Sequence, residues 1–184
     1  MKKIFGFIAV AAAAVALAAC DDDNDTWSDY QEWRETNANW IQSFQNKTNP
    51  DGTPYFQQLV PSWNPAGAVL IHYFNDRAET EGNLSPLYTS TVTARYELRI
   101  YPDSLVDQSY NATYNPSGLF STTVNGTVDG FAATLMDMRC GDTCEIIVPY
   151  VLGYGVTGGS VPPYTALRFN MRLEDIPDYE KAPY

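Results

Sequence analysis

One stretch does most to limit the folds open to this chain: residues 89–101, where Thr, Val, Tyr, Leu and Ile alternate with polar side chains. A period of two over that length describes a strand with one buried and one wetted face, as in an antiparallel sheet. Residues 166–176 repeat the alternation cleanly and read as a closing strand. Shorter runs at 68–75, 105–109, 120–124 and 144–149 read as further strands, separated by Asn, Gly and Pro. Among them only residues 129–138 show helical spacing, at Phe131, Leu135 and Met138, with Asp129 at the positive end of the helix. Strands in series with one short helix indicate an antiparallel α+β domain. The abundance of aromatic residues, Gly, Pro and Thr agrees with it.

A second helix is expected ahead of this domain. Residues 28–45 place Tyr30, Trp33, Trp40, Ile41 and Phe44 on one face, and Asn37 interrupts the stripe. Ser28 with Gln31 has the form of a capping box. So large an aromatic face must be covered. Packing on the body of the same chain is favoured; a partner or dimer surface is the alternative. Residues 46–52 form a polar loop that turns at Asn49-Pro50-Asp51-Gly52.

The first residues read as an export leader. Lys2 and Lys3 precede an uncharged apolar run, residues 4–19, too short to span a bilayer comfortably. The run ends in Leu17-Ala18-Ala19-Cys20, which resembles the bacterial lipobox, so lipid is expected on the Cys20 thiol. Acyl chains such as palmitate add about 0.8 kcal/mol per buried methylene, and several of them anchor stably. Losing the leader leaves 165 residues, nine basic against 22 acidic, with a formal charge of −13 in place of −11. Such a chain does not suit nucleic acid or an anionic lipid surface. Asp21-Asp22-Asp23-Asn24-Asp25 reads as a solvated linker. Acidic residues at this place resemble surface-export signals in some Gram-negative groups, and an Asp resembles an inner-membrane retention signal in others. The expected address is the outer membrane of the cell envelope, on its periplasmic or surface face.

The expected organisation is a leader at 1–19, an acidic linker at 20–27, the helix and a connecting segment at 28–66, the main domain at 67–178 and a tail at 179–184. Cys140 and Cys144 flank a Gly141-Asp142 turn. Export permits a disulfide, but the sequence does not decide whether the two thiols meet.

Conventional catalytic signatures are missing. The single His, His72, lies in a candidate strand and reads as structural. No phosphate loop, metal-ligand cluster or serine elbow is present, so no metal and no cofactor are expected.

The informative order lies towards the C-terminus. It runs Val128-Asp129-Gly130-Phe131, Leu135-Met136-Asp137-Met138-Arg139-Cys140-Gly141-Asp142, Ile147-Val148-Pro149, Leu152-Gly153-Tyr154-Gly155, Val161-Pro162-Pro163 and Leu167-Arg168-Phe169. Upstream stand Val92-Thr93-Ala94-Arg95-Tyr96 and Val106-Asp107-Gln108-Ser109. This series resembles the FKBP-type peptidyl-prolyl cis-trans isomerase family over about residues 68–176. The resemblance implies an antiparallel sheet wrapped around one short helix, with the helix from Ser28 as an addition. It also implies rotation of X-Pro bonds in exported polypeptides, inside an aromatic cup and without a covalent intermediate.

By that resemblance Phe131 is the floor under the proline ring, and Tyr96, Phe120 and Phe169 are its walls. The Val128 backbone N–H and the Tyr154 hydroxyl are donors to substrate carbonyls. Asp107 is the polar group near the twisting amide, and Val106 and Val161 complete the lining. Two departures stand out: Val106 replaces the family's usual Phe, and Phe131 replaces its usual Trp. The loop from Gly155 to Val161 also offers a thin rim. Weak catalysis is therefore one implication, and a non-catalytic FKBP-like binding or chaperone lipoprotein is the alternative.

Overall fold

The computed structural model describes residues 26–177. The expected leader, Cys20 as the expected lipidation site, the acidic run and the expected tail from 179 lie outside the described residues. No helix among the described residues is long and apolar enough to cross a membrane.

The architecture is mixed α+β, as the alternation implies. In chain order it comprises α1 (Thr26–Asp29), α2 (Gln31–Gln45), β1 (Gln57–Leu59), β2 (Val69–Tyr73), β3 (Thr91–Ile100), β4 (Ser104–Gln108), β5 (Phe120–Thr123), α3 (Asp129–Asp137), β6 (Thr143–Val148) and β7 (Leu167–Asp175). The strands make one sheet in the order β1-β2-β6-β7-β3-β4, with β5 also on β3. Every pairing is antiparallel.

The free edge of β3 is shared. Its first half, Thr91 to Ala94, pairs with β5, and its second half, Glu97 to Ile100, pairs with β4. Tyr96 stands at the gap between the two partners, where its backbone N–H donates to Ser109 Oγ at 3.0 Å and its carbonyl accepts the Ser109 N–H at 2.9 Å.

Alternation decides which side chains meet α3. On β3, Val92, Ala94 and Leu98 are buried; on β7, Leu167, Phe169, Met171 and Leu173 are. Phe131, Leu135 and Met138 from α3 and the turn after it complete this core. Gly130 lets the helix lie directly on β6, since a Cβ there would come within 2.9 Å of Val148 Cγ2.

β6 is buried on both faces because both are covered, with Glu145 on the outer face paired to Arg168 at 2.6 Å. Cys144, Ile146 and Val148 face α3, while Ile147 joins Phe56 and Leu70 in a second cluster roofed by Ile41 and Phe44 of α2. The aromatic face of α2 thus packs on its own chain. The Trp33 indole N–H donates to Thr165 Oγ1 at 3.0 Å, and Trp33 and Trp40 both set their edges against Tyr101.

Three features differ from the sequence reading. The predicted capping box is not what opens the helix: α2 begins at Gln31 behind Tyr30, with no side-chain cap, and Gln31 instead donates to Glu35 at 3.0 Å. Asn37, the break in the stripe, is 3% exposed and pins α2 to the sheet. Its amide donates to the Trp33 carbonyl at 2.8 Å, and its Oδ1 accepts the Ala166 N–H at 2.9 Å. The connecting segment also supplies the unforeseen strand β1. Three residues are too few for a period to show, and β1 pairs only with β2 at the sheet edge.

The remaining titratable curiosities are structural. His72 stacks on Tyr55 at a centroid distance of 3.7 Å, with Nδ1 2.8 Å from the Tyr55 carbonyl oxygen. Cys140 and Cys144 are both free thiols. Cys144 is fully buried, with its Sγ 3.8 Å from Met138 Sδ. Burial pushes both thiols above their ordinary pKa, with help at Cys140 from Asp175 and at Cys144 from Asp142.

Candidate functional site

At the N-terminal end of α3 the sheet leaves an opening. It is a cavity of about 160 Å³ lined by Tyr96, Leu98, Asp107, Phe120, Gly126, Thr127, Val128, Phe131, Tyr154 and Phe169. Cavities for drug-sized ligands run from about 300 Å³ upward, so this one suits a single side-chain ring.

Its apolar wall follows from strand alternation. Tyr96 and Leu98 lie on the core face of β3, and Phe169 sits opposite Leu98 on β7. Phe120 opens β5 opposite Ala94. Phe131, in the first turn of α3, is 4% exposed and closes the bottom. The rings meet edge to face: Tyr96–Phe120 at 5.2 Å, Tyr96–Phe131 at 5.9 Å and Phe131–Phe169 at 5.1 Å. That arrangement sets the positive edge of one ring against the negative face of the next, which holds the walls in place.

Polar groups enter from two sides. The Tyr96 hydroxyl donates to Asp107 Oδ2 at 2.7 Å, and Asp107 Oδ1 accepts the Gln108 N–H at 2.8 Å. Burial, then the hydrogen bond and the charge of Asp107, push the Tyr96 phenol well above its ordinary pKa. Opposite, Val128 is the residue before α3, in extended conformation. The first N–H groups of a helix have no partner within it, and the Val128 N–H donates to no carbonyl of the described residues. The helix dipole adds positive character there. The Tyr154 hydroxyl also has no hydrogen-bond partner among the described residues. Two outward donors above an apolar floor can hold a carbonyl-bearing ring. Among the described residues, no three His, Cys, Asp or Glu side chains gather where they could hold a metal ion.

The structure brings together seven of the nine anticipated residues: Tyr96, Asp107, Phe120, Val128, Phe131, Tyr154 and Phe169. It leaves out Val106 and Val161. Val106 falls at the irregularity in the β3–β4 pairing, where Leu98 faces Asp107 and Arg99 faces Leu105, and it is 42% exposed. Val161 is 5% exposed and packs in the same core cluster as Phe131 and Phe169 without lining the cavity. Leu98, Gly126 and Thr127 were not foreseen. Leu98 falls in the alternation with Tyr96 and could have been included; Gly126 and Thr127 carry no signal beyond their closeness to Val128.

An antiparallel sheet folded over one short helix, with an aromatic cup at the start of that helix, is the architecture of the FKBP-type isomerases. The chain belongs to the FKBP-type peptidyl-prolyl cis-trans isomerase family, whose model matches residues 83–174. It is 31% identical over 124 residues to the Macrophage infectivity potentiator of Trypanosoma cruzi, a match that takes in 64% of this chain and 57% of that protein. The chain therefore spans less than two thirds of that relative's length. Among solved structures it resembles FkpA from Escherichia coli, with a TM-score of 0.64, 17% identity and coverage of 82% of this chain and 62% of that one. It also resembles a peptidyl-prolyl cis-trans isomerase from Pseudomonas syringae pv. tomato, with a TM-score of 0.61, 18% identity and coverage of 79% and 94%. At those identities the likeness speaks for the fold.

Proposed function

We propose that the chain is a peptidyl-prolyl cis-trans isomerase acting on exported polypeptides, with the cup as its active site. The observation that carries this reading is the edge-to-face set of Tyr96, Phe120, Phe131 and Phe169 beneath two unengaged donors, the Val128 N–H and the Tyr154 hydroxyl.

An X-Pro bond resists rotation because amide resonance sets a barrier of about 18–20 kcal/mol. Twisting removes that resonance and leaves the nitrogen pyramidal and the carbonyl less delocalised. A dry cup that grips the ring, with donors placed for the twisted geometry, stabilises that state over both planar ones. In the proposal Phe131 supports the ring, and Tyr96, Phe120 and Phe169 exclude water. Val128 and Tyr154 hold carbonyls, and Asp107 orients Tyr96 and faces the amide. No bond is made or broken, so the reaction requires no nucleophile. With Val106 exposed and absent from the lining the rim is shallow, which favours modest rates.

The setting is part of the proposal. Lipid on Cys20 tethers the domain at the envelope membrane, where its clients are proline-containing proteins already exported. Exchange NMR on an X-Pro peptide, with the chain from Asp21 onward, tests the activity. Accelerated exchange is expected, and exchange at the uncatalysed rate rejects it. Metabolic labelling with a fatty acid, lost in Cys20→Ser, tests the anchor.

A further inference from the structure

The loop that carries Tyr154 is held from outside the cup. Tyr164 closes it: the Tyr164 N–H donates to the Gly155 carbonyl at 3.0 Å, and the Gly155 N–H donates to the Tyr150 carbonyl at 2.9 Å. Gly155 directly follows Tyr154. Within the loop Gly159 lies against the Tyr154 ring, since a Cβ there would stand 3.3 Å from Tyr154 Cδ1. A shift of Tyr164 therefore moves the closing hydrogen bond, and with it the seat of the Tyr154 ring.

Tyr164 does not keep its place unaided. Its φ is +60°, a left-handed conformation that a bulky residue rarely adopts and that persists only where the surroundings impose it. It is 3% exposed, and the rings of Trp27, Tyr30 and Tyr150 stand around it at 5.7, 6.1 and 5.2 Å. The first two come from α1 and the residue before α2. Arg34 of α2 fastens Trp27 in turn. Its guanidinium lies 3.2 Å over the indole, donates to the Trp27 carbonyl at 2.8 Å and stands 5.5 Å from the Tyr164 ring. The neighbouring Thr165 is caught as well: its Oγ1 accepts the Trp33 indole N–H at 3.0 Å and donates to the Pro162 carbonyl at 2.7 Å. Residues 26–34 precede the family's segment at 83–174, so this clamp lies outside the shared part of the chain.

Resting on the reading that the cup turns a prolyl bond, we propose that Trp27, Tyr30 and Arg34 are positioning residues for that reaction. They touch no substrate. They hold Tyr164 in its left-handed turn and so fix the point from which the Tyr154 hydroxyl reaches a substrate carbonyl. A donor fixed beforehand needs no reordering when the amide twists.

The test is exchange NMR on a prolyl peptide with the full-length protein and its variants. Trp27 is 54% exposed and belongs to neither core cluster, so Trp27→Ala leaves the core intact. It is expected to lower kcat/KM about two- to threefold, less than the loss of the hydroxyl itself in Tyr154→Phe. Trp27→Phe, which keeps a ring against Tyr164, should restore most of the rate. Added to Tyr154→Phe, Trp27→Ala should cost nothing further, because the group it positions is gone. The Tyr164 amide hydrogen should exchange at least about threefold faster in Trp27→Ala. Trp40→Ala removes a ring of α2 that packs on Phe44 and Tyr101, and should leave kcat/KM unchanged. Losses that multiply in the double variant, or an equal loss in Trp40→Ala, would make the clamp merely structural and overturn the proposal. An unchanged kcat/KM in Trp27→Ala overturns it too and spares the cup. If the wild-type chain does not accelerate exchange, the isomerase reading falls and the proposal falls with it.

Discussion

The Tyr96 hydroxyl and Asp107 Oδ2 lie 2.7 Å apart, across the edge where β3 hands its pairing from one strand to another. A hydrogen bond to a carboxylate contributes about 1.5–3 kcal/mol. This one sets the tilt of a ring that touches both Phe120 and Phe131. Asp107→Ala is expected to lower kcat/KM on a prolyl peptide about tenfold or more, and Tyr154→Phe several-fold. Exchange NMR reads both, and indifference to both variants would move the reaction out of the cup.

Gly130 and Val148 are packed too closely for any side chain at 130. An Ala in a helix is ordinarily better than Gly by about 0.5–1 kcal/mol. Here its Cβ would overlap the Val148 methyls, and Val148 is wholly buried. Overpacking of this kind costs about 1–3 kcal/mol and should win. Gly130→Ala is expected to lower the urea midpoint. Combined with Val148→Ala, it should cost less than the two single changes summed. Strict additivity would show that the helix can slide away.

Asn37 holds two backbone groups at once, the Trp33 carbonyl and the Ala166 N–H. Asn37→Leu fits the apolar stripe better by pattern alone. It leaves the buried Ala166 N–H without a partner, at about 1–3 kcal/mol. A lower denaturation midpoint is expected, together with faster hydrogen exchange at Ala166. Unchanged stability would mean that α2 needs no pin.

Asp142 gives the fold an acid limit. Burial alone would raise its pKa, but the Thr80 hydroxyl, the Arg139 backbone N–H, the Asn75 amide and the Arg77 guanidinium together hold it below the ordinary value of 3.8. A pKa that is lower in the folded chain means stability that is present above the unfolded value and lost as pH falls through the folded one. Stability should therefore drop as pH falls below about 4. Asp142→Asn should cost about 2–4 kcal/mol at pH 7 and flatten that drop. Thermal melts from pH 7 to pH 2.5 check the slope; an unaltered acid limb would assign it to other carboxylates.

Much of the domain could be read from residue order. The alternations at 89–101 and 166–176 became β3 and β7, and the spacing of Phe131, Leu135 and Met138 became α3, because burial on one face imposes the element's own period. The role of Asn37 was not legible for the same reason. A polar residue in an apolar stripe looks like a flaw until its partner, 129 residues away, is in view. Val106 was placed in the lining by the family resemblance, yet the irregular β3–β4 pairing leaves it unpaired and exposed. Trp63 gave no periodic signal at all, since it sits in an irregular segment and its partner Asp129 is 66 residues on.

By itself, then, the sequence determined the order of the main strands and helices, through local spacing and residue type, and a family resemblance that pointed to the side chains of the cup. Only the tertiary structure decided that α2 roofs the far face of the sheet, that Val161 packs in the core outside the cup lining, and that Trp63 bonds to Asp129 at the start of α3. Those outcomes hang on single hydrogen bonds and close contacts between distant segments, and no repeat along the chain records them.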